Sequence, residues 1–183
     1  MAPAFIFFML FQPFMAVLDK TPRRFFALLS LACLAMLAFG LYLQHVLGLE
    51  PCPMCIVQRY ALVLVTVFCA LAALSKPRGL HLLMALLTLL AAGFGAFVAA
   101  RQSWLQRYPP EVVSCGRDLY GMIENFPMQR VIPMVFKGGG DCSKVDWTFL
   151  GGSIANWSFL CFVGLAALML LFLGRQFIKR QAA

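Results

Sequence analysis

The sequence predicts an all-α membrane protein, a four-transmembrane-helix bundle with two outward loops of which the second is long. Three observations lead there. Hydrophobic residues make up 62% of the 183-residue chain and charged residues only 12%, too apolar a balance for a soluble domain of this size. Four stretches, at about 25–44, 56–74, 80–100 and 154–173, reach the roughly 20 residues that a helix needs to cross a bilayer core of ~30 Å. The basic residues then fall on one side of those spans: Lys20, Arg23 and Arg24 precede the first, Lys76 and Arg78 join the second to the third, and Arg175, Lys179 and Arg180 follow the fourth. Short loops rich in Lys and Arg stay in the cytoplasm. Both termini are therefore expected there, and the loops at about 45–55 and 101–153 are expected outside. The domain division is a cytoplasmic N-terminal segment at 1–24, a transmembrane domain at 25–174 and a basic cytoplasmic tail at 175–183.

Residues 1–18 are apolar but broken by Pro3, Gln12 and Pro13. They lack the positive charge that precedes the core of a secretory signal. The segment reads either as an interfacial stretch on the cytoplasmic face or as an upstream start with Met15 the more natural beginning. The first span ends in Tyr42, Gln44 and His45 at interface depth. His45 has two readings, an interfacial polar residue or a proton-transfer group, since an imidazole titrates near ~6.5.

The second span opens on Pro51-Cys52-Pro53-Met54-Cys55. A proline at the first helical position loses no hydrogen bond and is already set to a helical φ. That makes Cys52 the N-cap and places Cys55 in the first turn, where unpaired N–H groups and the helix dipole favour a thiolate. Arg59 follows four residues later on the same face and adds a positive charge. The pair reads as redox-active; half a zinc site is the competing reading, but no second Cys-x-x-Cys or His partner follows, and no metal is expected. An Arg just inside the membrane boundary either snorkels to the headgroups or serves a bound ligand. Cys33, Cys69 and Cys161 lie in apolar sequence and read as small packing residues.

The third span carries Ala91-Ala92-Gly93 and Gly95-Ala96, small residues that allow close helix approach. Arg101 and Gln102 leave it at the level of Arg59, so three polar donors on two helices could frame a small headgroup. Trp104 and Tyr108 form an interfacial anchor. In the long loop, Cys115 and Cys142 have no nearer cysteine in the loop than each other, and a bond between them would contribute roughly 3 kcal/mol by loop closure. Gly138-Gly139-Gly140 precedes Asp141-Cys142, and such a tether suits a thiol that exchanges partners better than a staple. The apolar run Val131–Phe136 is expected to meet the interface or a partner protein. Asn156-Trp157-Ser158 matches a glycosylation sequon by chance. Although the net charge is +8, the long loop holds six Lys/Arg against five Asp/Glu. No basic patch remains for nucleic acid.

Cys52-Pro-Met-Cys55 with Arg59, the Trp-Leu-Gln-x-Tyr-Pro run at 104–109, and Gly-Asp-Cys at 140–142 before Trp147-x-Phe-Leu-Gly, set among four spans, together resemble the disulfide-bond formation protein B (DsbB) family from about residue 25 to 173. The resemblance implies an oxidoreductase of the bacterial inner membrane with its redox loops periplasmic. It implies a soluble partner, a periplasmic DsbA-like thioredoxin-fold dithiol oxidase, and a membrane quinone, ubiquinone or menaquinone, as the electron acceptor. It also implies the roles: Cys115 takes the mixed disulfide with the partner, Cys142 engages Cys52, and Cys55 faces a quinone held by Arg59 with Gln102, Arg101 and His45 around it. At the position of Gln102 a well-known family member has His; a glutamine donates a hydrogen bond but delivers no proton. The reading from another class is a disulfide-stapled membrane scaffold or receptor whose cysteines never turn over.

Overall fold

A computed structural model of the chain describes residues 21–109, 140–143, 145 and 147–181. Helix α1 runs Pro22–His45, α2 Pro53–Leu74, α3 Arg78–Arg107, the short α4 Gly140–Ser143 and α5 Ile154–Gln181, with strands β1 Thr148–Phe149 and β2 Gly152–Ser153 between the last two. Four of these helices are long and apolar enough to cross a membrane, and the chain is a four-helix membrane protein.

Prolines set the helix starts. Pro22 and Pro53 stand in the first turns of α1 and α2, and Pro77 is the N-cap of α3, positions where a missing N–H costs nothing. The helices reach further than the expected spans. α3 continues past residue 100 to Arg107, so Arg101 and Gln102 are helical rather than loop residues, and α5 carries the basic tail in helical form to Gln181. At ~1.5 Å per residue the 30-residue α3 is about 45 Å long. With the 28-residue α5, about 42 Å, it is longer than a bilayer core of ~30 Å requires.

α1 packs on α2, α2 on α3 and α3 on α5. Leu28, Leu31, Leu64, Leu90, Phe97 and Leu170 point outward and are exposed, as expected of helices whose outer faces meet lipid rather than water. Lipid removes the hydrophobic drive between helices, so close packing must hold them together. Gly95 illustrates it: a Cβ there would stand 2.4 Å from the Phe162 ring. Gly93, two residues away, faces open space, so of the two glycines in this span Gly95 makes the close approach. At one end Phe25 stacks on Phe172 with centroids 6.0 Å apart, and Phe26 meets Phe172 edge-on at 5.1 Å.

The hairpin before α5 was not expected from the sequence. Thr148 pairs with Ser153 and Phe149 with Gly152 across a two-residue turn. Leu150 and Gly151 both have positive φ, 50° and 79°, as a tight hairpin of this length needs. The Trp157 indole donates to Phe149 O at 2.9 Å, and Ser153 Oγ donates to Gln106 Oε1 at 2.6 Å while accepting the Asn156 N–H at 3.4 Å. The hairpin is thus fixed both to α5 and to the end of α3.

Candidate active site

The site begins at the α2 N-terminus. Cys52 is extended, with φ −64° and ψ 161°, and its sulfur caps the helix by accepting the Cys55 N–H at 3.4 Å. This geometry turns the two side chains to the same side, and their sulfurs lie 2.9 Å apart. Short helix α4, packed on α3 and α2, brings Cys142 into the same cluster with Cys52, Met54, Val98 and Leu105. Cys52 is 8% exposed and Cys142 1%. Hydrogen bonding to Cys142, then to Cys55, then burial push the Cys52 thiol far above its ordinary range. Cys52 is held as a protonated thiol between two possible exchange partners.

One amide serves both sulfurs of the pair. Gln102 Nε2 donates to Cys52 Sγ at 3.2 Å and to Cys55 Sγ at 3.1 Å. Its Oε1 accepts from Gln58 Nε2 at 2.6 Å and also lies 3.6 Å from Cys55 Sγ, whose thiol donates to it. Both glutamines are buried, at 3% and 6% exposure. A buried donor pair aimed at sulfur stabilises negative charge there, because no water competes for it.

Beyond Cys55 lies a cavity of about 730 Å³ between α1, α2, α5 and the hairpin. Its wall is largely apolar, including Met36, Leu62, Phe162 and the rings of Trp147, Phe149 and Trp157; Cys55, Gln58 and Arg59 supply polar groups. Arg59 does not simply extend to a membrane surface. Its Nη1 donates to Gln44 Oε1 at 2.7 Å and its Nη2 to Gly40 O at 3.4 Å, so α1 holds the guanidinium in the cavity wall. Trp147 stacks on Phe149 with centroids 6.0 Å apart and planes 8° from parallel.

The structure therefore brings together Cys52, Cys55, Cys142 and Gln102, and sets Arg59 in a cavity that Cys55 also lines. Gln102 is not among the cavity's lining residues, nor are Arg101 and His45; Arg101 is half-buried, and His45 is the exposed last residue of α1. Of the three donors expected to frame one headgroup, Gln102 meets the sulfurs, Arg59 lines the cavity, and Arg101 lines neither. Cys115 and the run 131–136 lie outside the described residues. Cys33 and Cys69 are buried in the core as expected, whereas Cys161 is exposed and lines the cavity. Sequence reasoning gave Gln58, Gln44 and the rings of Trp147 and Phe149 no part in the site. Gln58 was legible, three residues after Cys55 on the same helical face; the others are supplied by elements distant in sequence.

A family model described as Disulfide bond formation protein DsbB matches residues 22–172. Among curated relatives, a Disulfide bond formation protein B of Albidiferax ferrireducens is 66% identical over 172 residues, covering 94% of this chain and 99% of the relative. Its namesake in Polaromonas naphthalenivorans is 70% identical over 161 residues, 86% of this chain and 95% of that one. In an Azoarcus species the figure is 53% over 160 residues, 87% and 96% of the two chains.

Proposed function

This chain belongs to the DsbB family of membrane disulfide-bond formation proteins, and from that premise we propose that it reoxidises a periplasmic thioredoxin-fold dithiol oxidase and passes the two electrons to a membrane quinone. The observation that carries the reading is the double placement of Cys55, in contact with Cys52 and in the wall of an apolar cavity. Electrons arrive from water and must leave into lipid. Cys55 stands where the two meet.

In this scheme a thiolate of the reduced partner attacks Cys115 of a Cys115–Cys142 bond and releases Cys142 as thiolate. The partner's second thiol then displaces Cys115, so the partner leaves as a disulfide. Cys142 attacks Cys52 of a Cys52–Cys55 bond and releases Cys55 as thiolate, with Gln102 donating to the sulfur that gains charge. Cys115 then displaces Cys52 from Cys142, which restores the loop bond and leaves Cys52 and Cys55 as the reduced pair that holds the two electrons. The close packing of Cys142 against Cys52 supports this order.

The cavity residues fit a quinone. A volume of about 730 Å³ is in the range of small-molecule sites, its walls are apolar, and Arg59 offers a fixed donor for a carbonyl oxygen. When bound there, a quinone supplies a two-electron, two-proton acceptor. Arg59 orients that group and favours negative charge on it, Gln58 links the cavity wall to the Gln102 amide, and Trp147, Phe149 and Trp157 shield the site from the aqueous side. Gln102 serves the sulfurs, so its lack of a transferable proton bears on thiolate stability rather than on the acceptor.

In this reading the protein lies in the inner membrane with both termini cytoplasmic and the cysteine loops periplasmic, which the one-sided placement of Lys and Arg supports. The deciding measurement supplies purified protein with a reduced thioredoxin-fold dithiol oxidase and a soluble ubiquinone or menaquinone analogue, following quinone absorbance. We expect one oxidised quinone lost per partner disulfide formed. No loss, in protein whose helices remain folded, would leave the stapled-scaffold reading in its place.

A further inference from the structure

The end of the bundle away from the thiols holds a second cavity, of about 330 Å³, where α1 and α3 begin and α2 and α5 finish. Lys76, Arg78, His81 and Lys179 line it together with the apolar Leu82 and Phe172, and no acidic side chain is in its described wall. Arg78 is held in position: its Nε and Nη2 donate to Gln176 Oε1 at 3.1 and 2.8 Å.

Charge of this sign at a helix boundary follows from topology alone, and by itself says nothing about a ligand. His81 adds something topology does not require. It is 5% exposed, its ring lies against Phe26 at 6.0 Å and 25°, and its Nδ1 is 3.1 Å from Pro77 O. A carbonyl only accepts, so Nδ1 donates to it and Nε2 is the ring nitrogen left for a further partner. That Nε2 is buried with no hydrogen-bond partner among the described residues. A buried polar atom left so costs free energy unless something supplies a donor.

We propose that this cavity binds the phosphoglycerol headgroup of an anionic phospholipid. Lys76, Arg78 and Lys179 meet the phosphodiester, and a glycerol hydroxyl donates to His81 Nε2. A phosphate group alone offers the cations a partner but brings no O–H for the histidine; a glycerol headgroup carries both. Leu82 and Phe172 provide apolar surface for the first acyl carbons, and the site stands at the ends of helices long and apolar enough to cross a membrane, where headgroups would meet it. Nothing in this assignment draws on the redox chemistry at the other end.

Native mass spectrometry of the full chain in detergent tests it, with equimolar phosphatidylglycerol, phosphatidylmethanol and phosphatidylcholine competing for retention. We expect phosphatidylglycerol to be retained several-fold over phosphatidylmethanol, which has the same net charge but no headgroup O–H or N–H donor, and phosphatidylcholine to be lost. Lys76→Gln combined with Lys179→Gln should lower its retention by on the order of tenfold. Arg180→Gln, exposed at the same end but outside the wall, should leave it unchanged. Equal retention of the two anionic lipids by the parent protein would remove the role given to His81 and overturn the proposal. So would an Arg180→Gln loss as large as that of the lysine pair, which means diffuse charge. Displacement of the lipid by equimolar glycerol 3-phosphate would assign the cavity to a soluble phosphate instead.

Discussion

In the proposed exchange Gln102 is the one amide among the described residues that meets both thiols. Its two N–H donors meet both sulfurs of the pair, and hydrogen bonds to charged groups are worth about 1.5–3 kcal/mol. Gln102→Leu should therefore slow quinone reduction by roughly 10- to 100-fold, with the quinone KM little changed because the side chain does not line the cavity. A raised KM with unchanged kcat would place Gln102 at the quinone after all. Cys52 makes a pH prediction of a definite sign. Its thiol is raised above the ordinary value of 9.0 by Cys142, Cys55 and burial, so the folded state binds that proton more tightly than the unfolded chain does. Stability from this source is complete below about pH 9 and falls as pH rises above it. Reduced protein should lose Tm between about pH 8 and 10 more steeply than oxidised protein, in which Cys52 has no proton to lose; parallel Tm curves for the two states would refute the linkage.

Among the elements, the α3–α5 contact depends on one missing methyl group. A Cβ on Gly95 would lie 2.4 to 2.7 Å from three atoms of the Phe162 ring, and overpacking of this kind costs about 1–3 kcal/mol. Gly95→Ala should lower the melting temperature in detergent by several degrees. Gly93→Ala meets nothing within 4 Å and gains helix propensity, so it should not. If both variants melt alike, the ring of Phe162 is free to move and the contact is looser than its geometry. The hairpin matters for a different reason. It carries Trp147 and Phe149 over the cavity, and its ties to Trp157 and Gln106 couple the cavity's outer wall to the same α3 helix that presents Gln102.

Over the whole molecule, the thiol cluster and the basic cavity occupy opposite ends of the bundle, and the orientation in the membrane decides which compartment each one meets. Reporter groups placed on exposed residues at the two ends can settle it. In a background without other cysteines, Glu50→Cys should react with a membrane-impermeant maleimide added to intact spheroplasts, and Lys76→Cys should react only after lysis; both residues are exposed. The reverse pattern would put the thiols in the cytoplasm, where a reducing pool would keep them from acting as oxidants.

Much of this protein is decided along the chain. Spans, their number and the side on which charge collects follow from apolar length and the placement of Lys and Arg, because a bilayer tests each helix one at a time. The Cys52-Pro53-x-x geometry is local as well, since a proline at a helix start fixes where the cap and first turn must fall. What tertiary structure alone decided is which distant groups meet those sulfurs. Arg59, Arg101 and Gln102 share a membrane level in sequence, yet rotation about α3 turns Gln102 to the thiols, while Gln44 and Gly40 on α1 hold Arg59 toward the cavity. Level along a helix is a one-dimensional property and can be counted. Direction around it depends on how neighbouring helices pack, and here that packing is set by contacts such as Gly95 on Phe162 that no spacing rule encodes.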